Sequence, residues 1–395
     1  MYLFQIFRSL VPLRNPLGFG VGDLLACGLA LLGLLAIFGH AWLANWFRAS
    51  ARRASWCMLA LFLLPIALRL ALLPRIPSPV PTTAEEASSL LLADTLLHGR
   101  FANPPHPLYE FFEAPLVAQA PAYRSTLPLG DGLLPAAGWF GILFGIGALS
   151  ALVYWMLRSW LAPEWALCGG LLTACAFGPL CYWTNSYWGG FIAAPAGCLI
   201  LGALPRLRRH RPARNLSLLI AGIIIELLAL PSWFCLALPL FLLAAAFCLK
   251  RLKQFRPALL FAALLLGAFH FAFWYGMRAF ADHAAWNAVR PYAGFDSLDS
   301  AASESRRAVL VDLNRQPGPQ LVFVRRLPWR DSSEWIQNRA DIDSARIVWA
   351  RDLGSESNKK LRDYYPGRAA WLLEPDAIPP RLRPYPPNVA FHDVP

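Results

Sequence analysis

Repeated apolar runs, each long enough to cross a bilayer, constrain this chain more than any other feature. A spanning helix needs about 20 mostly apolar residues, because lipid offers no partner to a bare backbone N–H or C=O. Such runs lie at 23–44, 54–74, 133–157, 165–183, 188–205, 215–230, 232–249 and 257–279, and Pro231 separates two of them so closely that they could form one broken element. Soluble domains carry roughly 25% charged residues, whereas this chain carries 15%, against 57% hydrophobic. The fold class read from this pattern is a polytopic α-helical membrane bundle of about eight spans over 1–280, followed by a small external α/β domain over 281–395. Arg8 and Arg14 stand far from any short apolar core with a cleavage site, so residues 1–22 read as an amphipathic lead-in and not as a signal peptide.

A net charge of +12 raises the question of nucleic acid, and the placement of the basic residues argues against that partner. Arg48, Arg52 and Arg53 crowd one short loop, Arg206, Arg208, Arg209, Arg211 and Arg214 a second, and Lys250, Arg251, Lys253 and Arg256 a third. Short loops rich in Lys and Arg stay cytoplasmic. With those loops inside an inner or plasma membrane, the loop 75–132, the turn 183–188 and the whole tail face outward. The span 23–44 then places the N-terminus outside as well. The eight cysteines all fall in or beside apolar spans, with no CxxC pair and no Cys/His spacing of a metal site. They read as small packing residues.

The first external loop has structure of its own. Ala84–His98 carries Leu91, Ala93, Leu96 and Leu97 at helical spacing, and Gly99 follows as a stop. Thr82 or Thr83 can cap it. The spacing predicts a helix lying on the membrane surface, followed by an extended connector where Asn103-Pro104-Pro105-His106-Pro107 forbids helix and sheet. In the tail, helices are expected at 305–316 and 357–364. Strands are expected at 320–324, 346–350 and 369–373, in a mainly parallel sheet. The Pro-rich stretch after Ile378 reads as extended.

Chemistry can be sought first in Glu85 and Glu86 at the mouth of that loop. Adjacent helical residues point about 100° apart, so one acid can face a cavity while the other sits where the helix N-terminus favours negative charge; alternatively both decorate the first turn. Asp94 lies where it can share a face with either, with His98, Arg100 and His106 nearby. Such a group could hold an anionic phosphate beside a carboxylate base, or be a solvated face with satisfied histidines. The outer turn Tyr182–Gly190 is dense in aromatics around Asn185 and Ser186, a pattern suited to sugar rings and equally to a membrane-interface belt. Glu226 falls in or near a span, where an acid usually faces a cavity or partner. The tail has no Gly-rich phosphate loop and no nucleophile elbow.

These motifs together resemble the GT-C class of integral-membrane glycosyltransferases, which includes the protein O-mannosyltransferases and the lipid A aminoarabinose transferase. The run Glu85-Glu86-Ala87-Ser88-Ser89-Leu90-Leu91-Leu92-Ala93-Asp94-Thr95, with His98-Gly99-Arg100 and Asn103-Pro104, is similar to the family's first external loop. Ala122–Gly130 resembles its second loop motif, and the likeness runs from about residue 54 onward. It implies transfer of a sugar from a polyprenyl-phosphate donor to a glycan, lipid or protein acceptor on the outer face. By the same resemblance Glu85 is the general base, Glu86 and Asp94 are supporting acids and Arg124 is the phosphate contact, with Arg100, Tyr182, Asn185 and Ser186 as further binding residues. No metal ligand is implied. The sequence departs from the family's pattern at Glu85 (where Asp is usual), at Thr126 (where Lys is usual) and at Leu230-Pro231-Ser232-Trp233 (in place of an Arg-Pro stretch). The alternative is a catalytically inactive membrane protein that acts as a docking or assembly partner in envelope glycan synthesis.

Overall fold

A computed structural model describes residues 45, 47–207, 212–229, 233–255, 257–281, 286, 300–325 and 333–385. The expected lead-in, the expected span 23–44 and the chain beyond 385 lie outside the described residues. The elements are mainly helical: α1 (Ala54–Ala71), α2 (Ala84–Leu97), α3 (Gly138–Trp160), α4 (Pro163–Ala176), α5 (Ala193–Leu207), α6 (Pro212–Leu228), α7 (Trp233–Phe255) and α8 (Pro257–Phe280). The tail adds α9 (Ser300–Arg315), β1 (Gln320–Val324), β2 (Ile347–Arg351), α10 (Ser355–Tyr364), β3 (Ala369–Glu374) and β4 (Arg381–Pro384).

Three helical stretches among the described residues, Ala54–Ala71, Gly130–Leu157 and Gly190–Leu207, are long and apolar enough to cross a membrane. That is fewer than the eight runs read from the sequence. α4 stops at Ala176, short of the expected 183, because Gly178 and Pro179 follow and a residue before proline is driven out of helical geometry. Its 14 residues rise only about 21 Å, less than the roughly 30 Å of a hydrocarbon core. The runs on either side of Pro231 form separate helices, α6 and α7.

The bundle packs closely where side chains are small. α1 turns Cys57, Leu61, Pro65 and Arg69 inward at every fourth position, which is one face of a helix. Opposite it, a Cβ added at Gly147 would stand 2.5 Å from the Phe62 carbonyl oxygen, and one at Gly170 would stand 2.6 Å from Leu61. Small residues let helix backbones approach to gain van der Waals contact where lipid gives no hydrophobic drive. At one end of α3 the Tyr154 hydroxyl donates to the Ala51 carbonyl (3.0 Å) and Arg206 donates to the Trp155 carbonyl (2.6 Å), which gathers two basic clusters there. At the other end the Trp139 indole donates to the Thr184 carbonyl (2.8 Å), beside the end of α1 and the turn 183–185.

The tail sheet has the order β2-β1-β3-β4. β1 runs parallel to β2 and β3, and β4 returns antiparallel to β3 with Leu373 opposite Leu382. The expected strands and helices therefore appear within a few residues of their positions, and the extended stretch after Ile378 becomes an edge strand.

The expected surface position of α2 is not what the fold gives. Its buried residues, among them Glu86, Ser88, Leu91, Leu92 and Thr95, lie on several faces. A Cβ at Gly132 would meet Leu92 at 2.6 Å on the bundle side. Leu91 instead joins Phe111, Phe112 and Tyr123 of the loop in one apolar cluster with Leu321, Phe323, Val348, Leu361 and Leu372 of the tail. The helix is covered on both sides because the four-stranded sheet leaves an apolar face that the loop's aromatic residues fill.

Candidate functional site

The site is built on the first turn of α2. Thr83 is the N-cap, and its hydroxyl accepts from the Glu86 amide at 3.3 Å, the Thr-x-x-Glu pattern of a capping box. This cap sets the rotation of the helix. Glu85 falls on the exposed face and Glu86 faces inward at 1% exposure. One Glu86 carboxylate oxygen accepts from the Tyr182 hydroxyl at 2.5 Å, and the other from the Thr82 amide at 3.3 Å. The Tyr187 amide lies near enough to favour the charged carboxylate.

Burial pushes the Glu86 carboxyl above its ordinary value; Tyr182, the two amides and the more distant Arg306 oppose that rise without cancelling it. The Tyr182 phenol is pushed up by burial and then by the Glu86 charge, and Tyr187 shifts the same way for the same reasons. Arg306 on α9 is 4% exposed. Burial lowers its guanidinium to about 9, with the charges of Glu86 and Glu334 opposing, so it stays cationic at neutral pH. It donates to the Glu334 and Trp335 carbonyls and lies 4.9 Å over the Trp335 ring. Arg307, next to it, donates to the Ser78 carbonyl and lies within electrostatic reach of Tyr187.

The other sequence-derived residues divide clearly. Asn185 is buried, accepts from the Arg69 Nε at 2.6 Å and donates to the Pro179 and Cys181 carbonyls at 2.9 and 2.8 Å. The remaining Arg69 nitrogens donate to the Ile76 and Pro77 carbonyls, and the guanidinium lies 4.6 Å over Trp139. Asn185 thus ties the turn to the end of α1, with its amide occupied. Ser186 is buried and accepts from the Trp188 amide at 3.3 Å. Asp94 accepts from the Ala340 amide at 2.8 Å and so joins α2 to the tail. Arg100 and Arg124 are exposed. Arg124 belongs to a short antiparallel pairing of 117–118 with 124–125, and no described contact carries it to Glu86.

His106 is the satisfied histidine of the two open readings. Its Nδ1 accepts from the Leu108 amide at 2.9 Å, so Nε2 carries the proton toward the Tyr365 hydroxyl at 3.1 Å. Burial lowers its proton affinity, while Asp343 at 3.3 Å pulls it back up. Glu226 is half-buried with one carboxylate oxygen unpartnered among the described residues. No group of three His, Cys, Asp or Glu among the described residues is arranged to hold a metal ion.

Sequence reasoning missed Arg69 and Arg306, whereas Tyr187 belongs to the aromatic turn 182–190 that it singled out. Arg69 was visible as a cation inside an apolar run, which by itself marks an intramembrane partner. Nothing near Arg306 in the sequence signals that it approaches Glu86, since the two are 220 positions apart. Compared with known proteins, the chain matches no family, curated protein or solved structure.

Proposed function

We propose that the protein is a membrane glycosyltransferase of GT-C type. It moves a sugar from a polyprenyl-phosphate donor to an acceptor on the outer face of a cell membrane, with the tail on that face and the basic loops inside. The observation that carries this reading is a buried carboxylate, Glu86, held by the Tyr182 phenol and the Thr82 amide at one end of an apolar bundle, with Arg306 in electrostatic reach of it and Arg307 in reach of Tyr187. A carboxylate offers about four lone-pair positions, so the Tyr182 and Thr82 donors leave room for an acceptor hydroxyl. Its raised proton affinity makes it a better general base near neutral pH than an exposed glutamate.

In the proposed step the acceptor oxygen bonds to the anomeric carbon while its proton passes to Glu86. The carbon–oxygen bond to phosphate breaks, and its electron pair leaves with polyprenyl phosphate. A cation beside the leaving phosphate stabilises it; Arg307 takes that place, and exposed Arg124 does so only if the hairpin moves. Glu86 is covered in this state, so the step also requires the 182–187 turn to shift. The base assigned by resemblance was Glu85, and its exposure is the reason the role moves one residue along.

The second reading, a non-catalytic docking partner, draws on the same contacts. Thr83, Thr82 and Tyr182 satisfy Glu86 as they would a purely structural acid. Mass spectrometry of envelope lipids and glycans from a deletion strain separates the two, with complementation by wild type, Glu86→Gln and Glu85→Gln. Loss of a general base costs about 10²- to 10⁴-fold. A sugar-sized mass restored by wild type and Glu85→Gln but not by Glu86→Gln is the expected outcome. Restoration by all three, or no glycan change on deletion, favours the docking protein, and loss with Glu85→Gln alone returns the role to the exposed acid.

A further inference from the structure

One of the contacts that join the loop 75–132 to the tail runs through a histidine with both ring nitrogens engaged. His106 follows Asn103-Pro104-Pro105, and its side chain is 5% exposed. Its ring packs against Phe112 of the loop at 4.7 Å and against Tyr364, at the end of α10, at 4.9 Å between centroids. The Leu108 amide donates to Nδ1 at 2.9 Å, and Nε2 donates to the Tyr365 hydroxyl at 3.1 Å. That hydroxyl donates in turn to Asp343, from the connection between β1 and β2. A hydroxyl has one proton to give, so the chain runs in one direction, from the Leu108 amide to the Asp343 carboxylate. It is complete when the ring is neutral.

A second proton on the ring has to go to Nδ1, the nitrogen that carries none. There it meets the Leu108 N–H donor to donor, and that amide loses its acceptor. Asp343 opposes this from 3.3 Å, yet its side chain is 54% exposed, so water screens much of its attraction. The ring itself is cut off from water, and burial outweighs Asp343 in holding its proton affinity below the ordinary value. The remaining charge at this seam is Arg368, which lies 4.9 Å over the Tyr365 ring and donates to the Asp343 and Ala345 carbonyls. It offers no attraction to a second cation.

We propose that His106 is an acid-operated latch, which holds the 106–112 segment against α10 while its ring is neutral and releases it on taking up a proton. Phe111 and Phe112 share one apolar cluster with Leu91 of α2 and with the tail sheet, so release loosens the seam on which α2 lies. A released histidine takes its proton from about pH 6.5 downward, and the latched one only at lower pH. The contact is therefore at full strength above that value and weakens as pH falls below it. Uptake of one proton raises the opening constant by at most about tenfold per pH unit. The latch needs no sugar transfer, so its failure and that of the transferase reading are separate results.

The test is amide hydrogen exchange of the full chain in detergent, read by mass spectrometry from about pH 7.5 to about pH 5, across the ordinary imidazole range, and corrected for the intrinsic pH dependence of exchange. In wild type, opening of 106–113 and 361–373 should rise severalfold over the acid half of that range, while 142–157 of α3 stays flat. His106→Asn should abolish the rise, because its side-chain oxygen can accept from the amide two residues on and does not titrate. Asp343→Asn keeps an oxygen for Tyr365 and removes the attraction for the proton, so it should steepen the rise. Exchange of the imidazole Cε1–H in wild type reads the titration of His106 without any variant, and its midpoint should lie below about 6.5. The proposal is overturned by a midpoint at or above that value, by wild-type opening that is flat with pH, by an unchanged rise in His106→Asn, or by a shallower one in Asp343→Asn.

Discussion

Glu85 and Glu86 are chemically identical neighbours, and their difference is made by rotation alone. Thr83 fixes where the helix begins, and about 100° per residue then sends Glu85 to solvent and Glu86 inward toward Tyr182. Because burial raises the Glu86 proton affinity, the folded state prefers the neutral acid more than the unfolded chain does. The native state is therefore unpenalised below the ordinary carboxylate range, and loses stability as pH rises from that range through the raised folded value. Glu86→Gln removes that dependence and keeps an oxygen for Tyr182. Denaturant unfolding of the variant against wild type should show a stability difference that grows in the variant's favour from about pH 4 toward neutral. A flat difference across that interval would mean that Glu86 is not desolvated in the folded protein.

At the scale of elements, α2 is positioned by close approach as much as by its own sequence. Ser88 donates to the Leu116 carbonyl at 2.6 Å, Asn103 donates to the Thr95 hydroxyl at 2.8 Å, and Gly132 leaves no room for a side chain below Leu92 and Ala93. A Cβ at Gly132 would stand 3.2 Å from the Ala93 amide nitrogen, so relief requires backbone movement and not only a rotamer change. Gly132→Val should cost about 1–3 kcal/mol, the usual penalty of overpacking, and should displace the first turn of α2 with its glutamate. Thermal unfolding in detergent reads the stability loss, and Trp183 and Trp188 fluorescence beside Tyr182 reads the displacement. A variant with wild-type midpoint and emission would show that α2 is not seated on this glycine.

Across the whole molecule, loop and tail complete each other. Phe111, Phe112 and Tyr123 fill the face of the tail sheet. Around them Glu113 pairs with Arg351, His106 meets Tyr365, and the Tyr123 hydroxyl donates to the Asn338 carbonyl. Truncating a buried phenylalanine costs about 3–5 kcal/mol, and Phe112 is 1% exposed. Phe112→Ala should therefore loosen the tail as well as the loop that carries the mutation, bringing protease cleavage into 300–385 under conditions where the wild type resists. Cleavage confined to 100–130 would mean that the tail holds its fold without the loop.

The local elements are legible in the order of the amino acids, because their causes are local. A threonine at 82 or 83 caps α2 and Gly99 ends it; the β-branched and aromatic runs at 320–324 and 346–350 make strands; the apolar runs among the described residues make bundle helices. What lies between elements distant in the chain comes from packing in three dimensions. The expected surface position of α2 failed because its apolar spacing is the same whether lipid or the tail covers it. α4 ends at Ala176, short of the expected 183, because hydropathy does not register the stop at Gly178-Pro179. Which glutamate turns inward, which arginine approaches it and which face of the sheet the loop fills depend on contacts more than 90 residues apart, as between Glu86 and Tyr182. Such contacts arise from packing, and neighbouring residues leave no trace of them.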